Sequence, residues 1–220
     1  MVSSAHATVL LSPTTTTPVV GLEDQYNFGI DATIPGGTFN SQAFSDNSGG
    51  PGQTFTTPAT GNFTLGAFSF KGAATGSSNV GGFAAGTTWG IRVSSVTGGA
   101  LAPILTVTGI PSPATLAGDE WLTWTFSGAD LLTLQPSKLY AVDVFSSAGY
   151  YGFDAAVDPN SYAGGVAFNS TSAARSFNNT SIQDRGYDRT FAADLTVVPE
   201  PAAATLLVAG LGLLGMRRRR

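Results

Sequence analysis

Six consecutive residues, Trp121-Leu122-Thr123-Trp124-Thr125-Phe126, do most to restrict the fold of this chain. In an extended backbone, successive side chains point to opposite faces. Leu122, Trp124 and Phe126 therefore share one face, and Trp121, Thr123 and Thr125 the other. The same two-residue period places Trp89, Ile91 and Val93 against Thr88, Gly90, Arg92 and Ser94. It returns at the end, where Phe191, Ala193, Leu195 and Val197 are expected to point inward, against Thr190, Ala192, Asp194 and Thr196. No segment before residue 202 keeps the period of a helix. The expected fold is all-β: an antiparallel β-sandwich, jelly-roll-like, followed by one short C-terminal hydrophobic helix.

Composition agrees with many short strands joined by tight turns. The 220 residues include 28 Gly and 12 Pro, and only 11% are charged. Without its four terminal arginines the chain carries six Lys and Arg against fourteen Asp and Glu, a net charge of −8. So acidic a body argues against nucleic acid as a partner, since phosphates demand a basic face. There is no cysteine, hence no disulfide framework, no thiolate metal site and no Cys nucleophile.

Three parts are expected along the chain. Residues 1–21 read as a signal-peptide remnant and a Thr/Pro lead, 22–197 as the sandwich, and 198–220 as a separate tail. Ala5-His6-Ala7 has the A-x-A form of a signal cleavage site, with Ala5 and Ala7 as its small residues. The charged and apolar regions that should precede it are expected upstream of Met1, and His6, the one histidine, would be removed with them. Phe39 and Phe44 mark a first strand or strand pair, and Gln53–Thr57 opens the next. Parity shifts between Phe63-Thr64-Leu65 and Phe68-Ser69-Phe70, which predicts a bulge at Gly66-Ala67. Leu139–Phe145 is apolar on both faces and interrupted by Asp143. Gly164-Gly165 predicts a bulge or a close backbone approach. Asn169–Gly186 reads as polar and irregular.

The tail has three ordered pieces. Val198-Pro199-Glu200-Pro201 cannot continue a strand, because neither proline has an N–H to donate. Ala202–Met216 is an uncharged apolar run, roughly 22 Å long as a helix against a hydrocarbon core of roughly 30 Å. Arg217, Arg218, Arg219 and Arg220 close the chain; they can snorkel to headgroups and hold that end on the cytoplasmic side. This triple resembles the PEP-CTERM sorting signal of bacterial exosortase substrates. The resemblance implies that a membrane cysteine transpeptidase-like enzyme, an exosortase, reads Pro199-Glu200-Pro201, cuts nearby, and releases or re-attaches the upstream domain. It implies a membrane-anchored precursor, then a place at the cell surface or in the extracellular matrix, and a setting of exopolysaccharide and biofilm. An ordinary tail anchor is the competing reading.

A second resemblance covers roughly residues 53–197. Gln53-Thr54-Phe55, Trp121–Phe126, Leu134-Gln135-Pro136 with Leu139-Tyr140-Ala141, and Ser161-Tyr162-Ala163-Gly164-Gly165 look like exported sandwich domains of the choice-of-anchor type. That likeness implies the fold and an extracellular setting, and brings no catalytic residue.

Chemistry on the body is narrowly bounded. With no Cys and no histidine beyond His6, a Ser-His-Asp triad and a His-rich metal site are excluded from it. Ser-Lys chemistry would need Lys71 or Lys138, and Lys138 sits in a turn where a solvated amine is expected. Asp119 and Glu120, adjacent at a strand start, point to opposite faces and make poor partners for glycoside hydrolysis. Asp154, Asp158, Asn160, Asp184 and Asp188 offer hard oxygen ligands that suit Ca²⁺, with turn-forming Asx residues as the alternative. Trp121, Tyr150, Tyr151 and Tyr162 are candidates for a sugar-stacking platform, with core packing as the alternative. No catalytic residue and no obligatory cofactor are expected. The body is expected to be structural or adhesive, with a secreted carbohydrate-binding or polysaccharide-active protein as the competing class.

Overall fold

A computed structural model describes residues 8–29, 50–73, 80–156, 162–169, 175–177 and 180–199. Its strands, in chain order, are β1 (Thr8–Thr14), β2 (Gln25–Asn27), β3 (Pro51–Thr56), β4 (Asn62–Lys71), β5 (Val80–Gly81), β6 (Thr88–Thr97), β7 (Ala100–Pro111) and β8 (Trp121–Ser127). They continue with β9 (Leu132–Leu134), β10 (Leu139–Ser146), β11 (Tyr150–Tyr151), β12 (Ala155–Ala156), β13 (Ala167–Asn169), β14 (Asp188–Arg189) and β15 (Phe191–Val198). One 3-10 turn, Gly128–Asp130, is the helical element among the described residues.

Two antiparallel sheets form the body. One has the order β1-β8-β4-β15-β2, with β9 also paired to β4; the other has the order β13-β3-β10-β6-β7. Two short ribbons, β11 with β5 and β12 with β14, complete the ladders. The inner faces supply one continuous core. Phe63, Leu65, Phe68, Phe70, Leu122, Trp124 and Phe191 come from the first sheet, and Phe55, Trp89, Ile91, Val93, Val142 and Val144 from the second. Each such side chain contributes about 1.5–3 kcal/mol by leaving water. Some aromatic rings meet edge to face, as in Trp89 with Trp124 at 5.9 Å and Phe68 with Phe70 at 5.0 Å, while Phe68 stacks on Phe191 at 5.7 Å.

The bulge expected at Gly66-Ala67 is present. Asp194 pairs with Ala67 and the next residue, Leu195, with Leu65, which leaves Gly66 as the extra residue of β4. The Gly164-Gly165 expectation is met by close approach: a Cβ on Gly165 would stand 2.0 Å from the Thr54 carbonyl oxygen.

Three expectations change. Residues 8–14, assigned to a lead outside the domain, form a full sheet strand paired with β8 from Thr8↔Ser127 to Thr14↔Trp121. The sandwich therefore begins before residue 22, and Val9 joins the core opposite Phe126. Val197 has inward parity yet is 44% exposed, at a level where β2 no longer flanks β15. Trp121 and Trp124 point to opposite faces and both are buried, since Phe28 packs edge-on against Trp121 at 5.5 Å.

The outer face of the second sheet is covered as well. Phe168 packs with Leu101 and Ala141 against Val96 and Ile182, and the Arg92 guanidinium lies 5.1 Å from the Phe177 ring. Residues from the stretch read as polar and irregular thus roof the sheet, which explains why β10 is apolar on both faces. Phe39 and Phe44 lie outside the described residues.

Candidate functional site

The junction between the sandwich and the tail is built by β15. It pairs along its whole length with β4, ending at Val197↔Phe63 and Val198↔Asn62. β2 covers its other side only from Phe191 to Ala193. Asp24 Oδ1 extends that cover by accepting the Leu195 N–H at 2.7 Å. Pro199 then stops the ladder, since it has no N–H to give. Gly61, at φ 87°, turns the chain into β4 and brings its Cα within reach of the Val197 methyl. Val198 and Pro199 of the expected motif are thus seated at the very end of the sheet. Glu200, Pro201 and Arg217–Arg220 lie outside the described residues, as do Ala5 and Ala7. Among the described residues no helix is long and apolar enough to cross a membrane; Ala202–Met216 is not among them.

A polar cluster sits at the opposite end, where β4 meets the start of β8. Lys71 Nζ pairs with Asp119 Oδ1 at 2.7 Å and also donates to the Asp119 carbonyl. Asp119 has φ 58°, a left-handed turn residue. Glu120 is buried and accepts from Ala117 N, Gly118 N and the Tyr151 hydroxyl at 2.9 Å. Burial, then the Glu120 charge, holds the Tyr151 hydroxyl far above the usual phenol range, so it stays a neutral donor. Asp154 is buried, and its Oδ1 has no hydrogen-bond partner among the described residues. Desolvation raises its pKa to about 6, against a lowering by Lys71. Asp119 and Glu120 serve different partners, but both lie in the turn before β8 rather than on a strand.

The calcium candidates do not converge in the described structure. Asp184 Oδ1 accepts the Gly186 N–H at 2.8 Å, an Asx-type turn. Asp188 is engaged by Gln53 Nε2 at 2.7 Å and by Tyr162 N at 2.9 Å. Asp154 belongs to the cluster with Lys71. Asp158 and Asn160 lie outside the described residues. Among the described residues no three acidic or histidine side chains are arranged to hold a metal ion.

The aromatic candidates do not share an exposed surface either. Tyr151 is fully buried and Trp121 nearly so. Tyr162 is half-buried, with its ring edge-on to Phe191 and its hydroxyl donating to Gln25 at 2.6 Å. Tyr150 packs over Gly81 on its short ribbon. Their rings are spent mostly on packing.

Two buried polar constellations were not read from the sequence. Arg92 and Asp143 form a bidentate pair at 2.7 and 2.9 Å within the second sheet. Burial pushes Asp143 up to about 6 in spite of the guanidinium. Gln53, Asp188, Arg189 and Asn169 form the other, with Arg189 fully buried and Gln53 accepting its N–H at 2.8 Å. The signal was present as charges inside alternating strands. Only the register Asp143↔Arg92 makes the first of them a pair.

Comparison with known proteins speaks to the tail. Residues 197–220 match the family model described as the PEP-CTERM protein-sorting motif, so the match begins within the last two paired residues of β15. Comparison with curated proteins returns no match. Among solved structures, the chain is similar to the cysteine protease and lectin-like domains of Cwp84, a surface layer associated protein of Clostridium difficile. Identity is 8%, the TM-score is 0.40, and the alignment covers 69% of this chain and 33% of the other. So distant a likeness carries no argument here. The motif marks the chain as an exosortase-sorted protein of the cell surface, made as an exported, membrane-anchored precursor.

Proposed function

We propose that the chain delivers a jelly-roll-like sandwich to the cell surface or extracellular matrix, where it acts as a structural or adhesive element associated with exopolysaccharide or biofilm. An exosortase is its processing partner, and the apolar helix serves only the precursor. The observation that carries this reading is the sorting motif placed directly on the end of the last strand. A role without catalysis is favoured by how the polar groups are used. Glu120 is committed to two backbone N–H groups and a tyrosine, and Lys71 to Asp119. The aromatic candidates for sugar stacking are engaged in packing, so adhesion would use other exposed surface.

Glu200→Ala tests the reading against a plain tail anchor. The change leaves the apolar run and the arginines untouched, so an anchor tolerates it. Exosortase recognition of Pro199-Glu200-Pro201 predicts accumulation of uncleaved precursor in membranes of the native host, seen as a slower-migrating band. Equal processing of variant and wild type would reject it.

A further inference from the structure

We propose that, in the unprocessed precursor, the end of the sandwich from which β15 departs rests against the lipid headgroups on the outer face of the bilayer. This rests on the sorting reading above, and adds which surface faces the membrane.

The argument starts from chain length. Val198 is still held on the ladder opposite Asn62, and the apolar run begins at Ala202. Four Cα steps span at most about 14 Å. The headgroup layer takes up about 6 Å of that, which leaves about 8 Å between the bilayer surface and the end of the strand. There is no linker along which the domain could move away.

The registers identify the surface so constrained. The β3–β4 connection, residues 57–61, and the β9–β10 turn, residues 135–138, close this end. They are tied together by Thr57 N to Lys138 O at 3.0 Å, Ser137 N to Pro58 O at 2.9 Å and Thr57 Oγ1 to Gln135 O at 2.6 Å. The β6–β7 hairpin turns at the same end, since Ser95 pairs with Tyr140 near the start of β10. Across these three connections and the strand end, the charged side chain is Lys138, which is exposed.

The body is otherwise acidic, and of its carboxylates Asp24 and Asp130 stand back from this end. Asp24 is bonded at Leu195, in the row Leu195–Leu65–Leu132. That row lies three residues above Asn62, about 10 Å up the sheet, and Asp130 precedes Leu132. About 10 Å is a Debye length at moderate salt. Glu200 lies in the joint itself, so an anionic lipid surface would meet Lys138 and Glu200 together, and the short joint rather than charge holds this end against the bilayer. Val197, exposed against its inward parity, lies in the same patch.

The test uses the full, unprocessed chain, whose lack of cysteine makes a single introduced thiol unambiguous. One variant, Ala59→Cys, labels the proposed contact. The other, Ala85→Cys, labels the opposite end, beyond the start of β6. That strand alone separates the two ends by roughly 30 Å. Each carries an environment-sensitive fluorophore in vesicles of phosphatidylcholine and phosphatidylglycerol that contain headgroup-nitroxide lipid. The proposal expects several-fold stronger quenching at position 59 than at position 85. Equal quenching at the two positions, with the chain resistant to alkaline carbonate extraction, overturns this proposal and leaves the sorting reading standing. Release by carbonate shows that the apolar run does not insert, and overturns both.

Discussion

Asp154 is a buried carboxylate with an incompletely satisfied environment. One oxygen lacks a partner among the described residues, and desolvation has raised its pKa from 3.8 to about 6. The folded protein therefore holds a proton there that the unfolded chain releases near pH 4. Between those values the native state binds more protons than the unfolded state, so stability falls as pH rises, and levels off above pH 6. Asp154→Asn removes the titrating group while keeping the shape. Urea denaturation should show the wild type losing stability relative to this variant across that window, and no divergence above it. Asp143 shares the direction but is paired with Arg92, and its loss would strand a buried guanidinium. Arg92→Ala is expected to cost about 3–5 kcal/mol, the usual result of orphaning one partner of a buried ion pair.

Among the elements of the first sheet, β1 and β15 differ in how far their own sequences reveal them. β15 was legible because four apolar residues alternate in it without interruption. β1 was not, since Thr, Ser and Pro dilute its two core residues, Val9 and Leu11, and its neighbours in sequence are a Thr/Pro stretch. Its strand character comes from pairing with β8, a contact 117 residues away at Val9↔Phe126 that no local pattern encodes. Asp143 shows the same limit: the interruption in β10 was visible, but the reason for it lies on β6. Likewise the packing of Trp121 and Tyr151 depends on Phe28 and Glu120, which approach from distant parts of the chain. The sorting motif was legible because such a signal is read by composition and order. A chain starting at Gly21 would expose the β8 edge and the core beneath Val9. Compared with a chain starting at Thr8, it should lose at least about 3 kcal/mol in urea denaturation or fail to fold.

At the scale of the whole molecule, the domain and its address are adjacent in sequence, and the domain is expected to fold without the tail. Every core residue among the described residues lies before Val198, so a chain of residues 8–198 should give a β-rich circular dichroism spectrum and a cooperative urea transition. Recovery only as aggregate would mean that the tail contributes to the fold. The central claim concerns what happens where β15 ends, and the most direct measurement is the intact mass and C-terminal sequence of the mature protein from its native host. The account predicts a chain ending close to Val198–Pro201, without the apolar run or Arg217–Arg220. A mature product that retains Arg220 in exosortase-competent cells would contradict it.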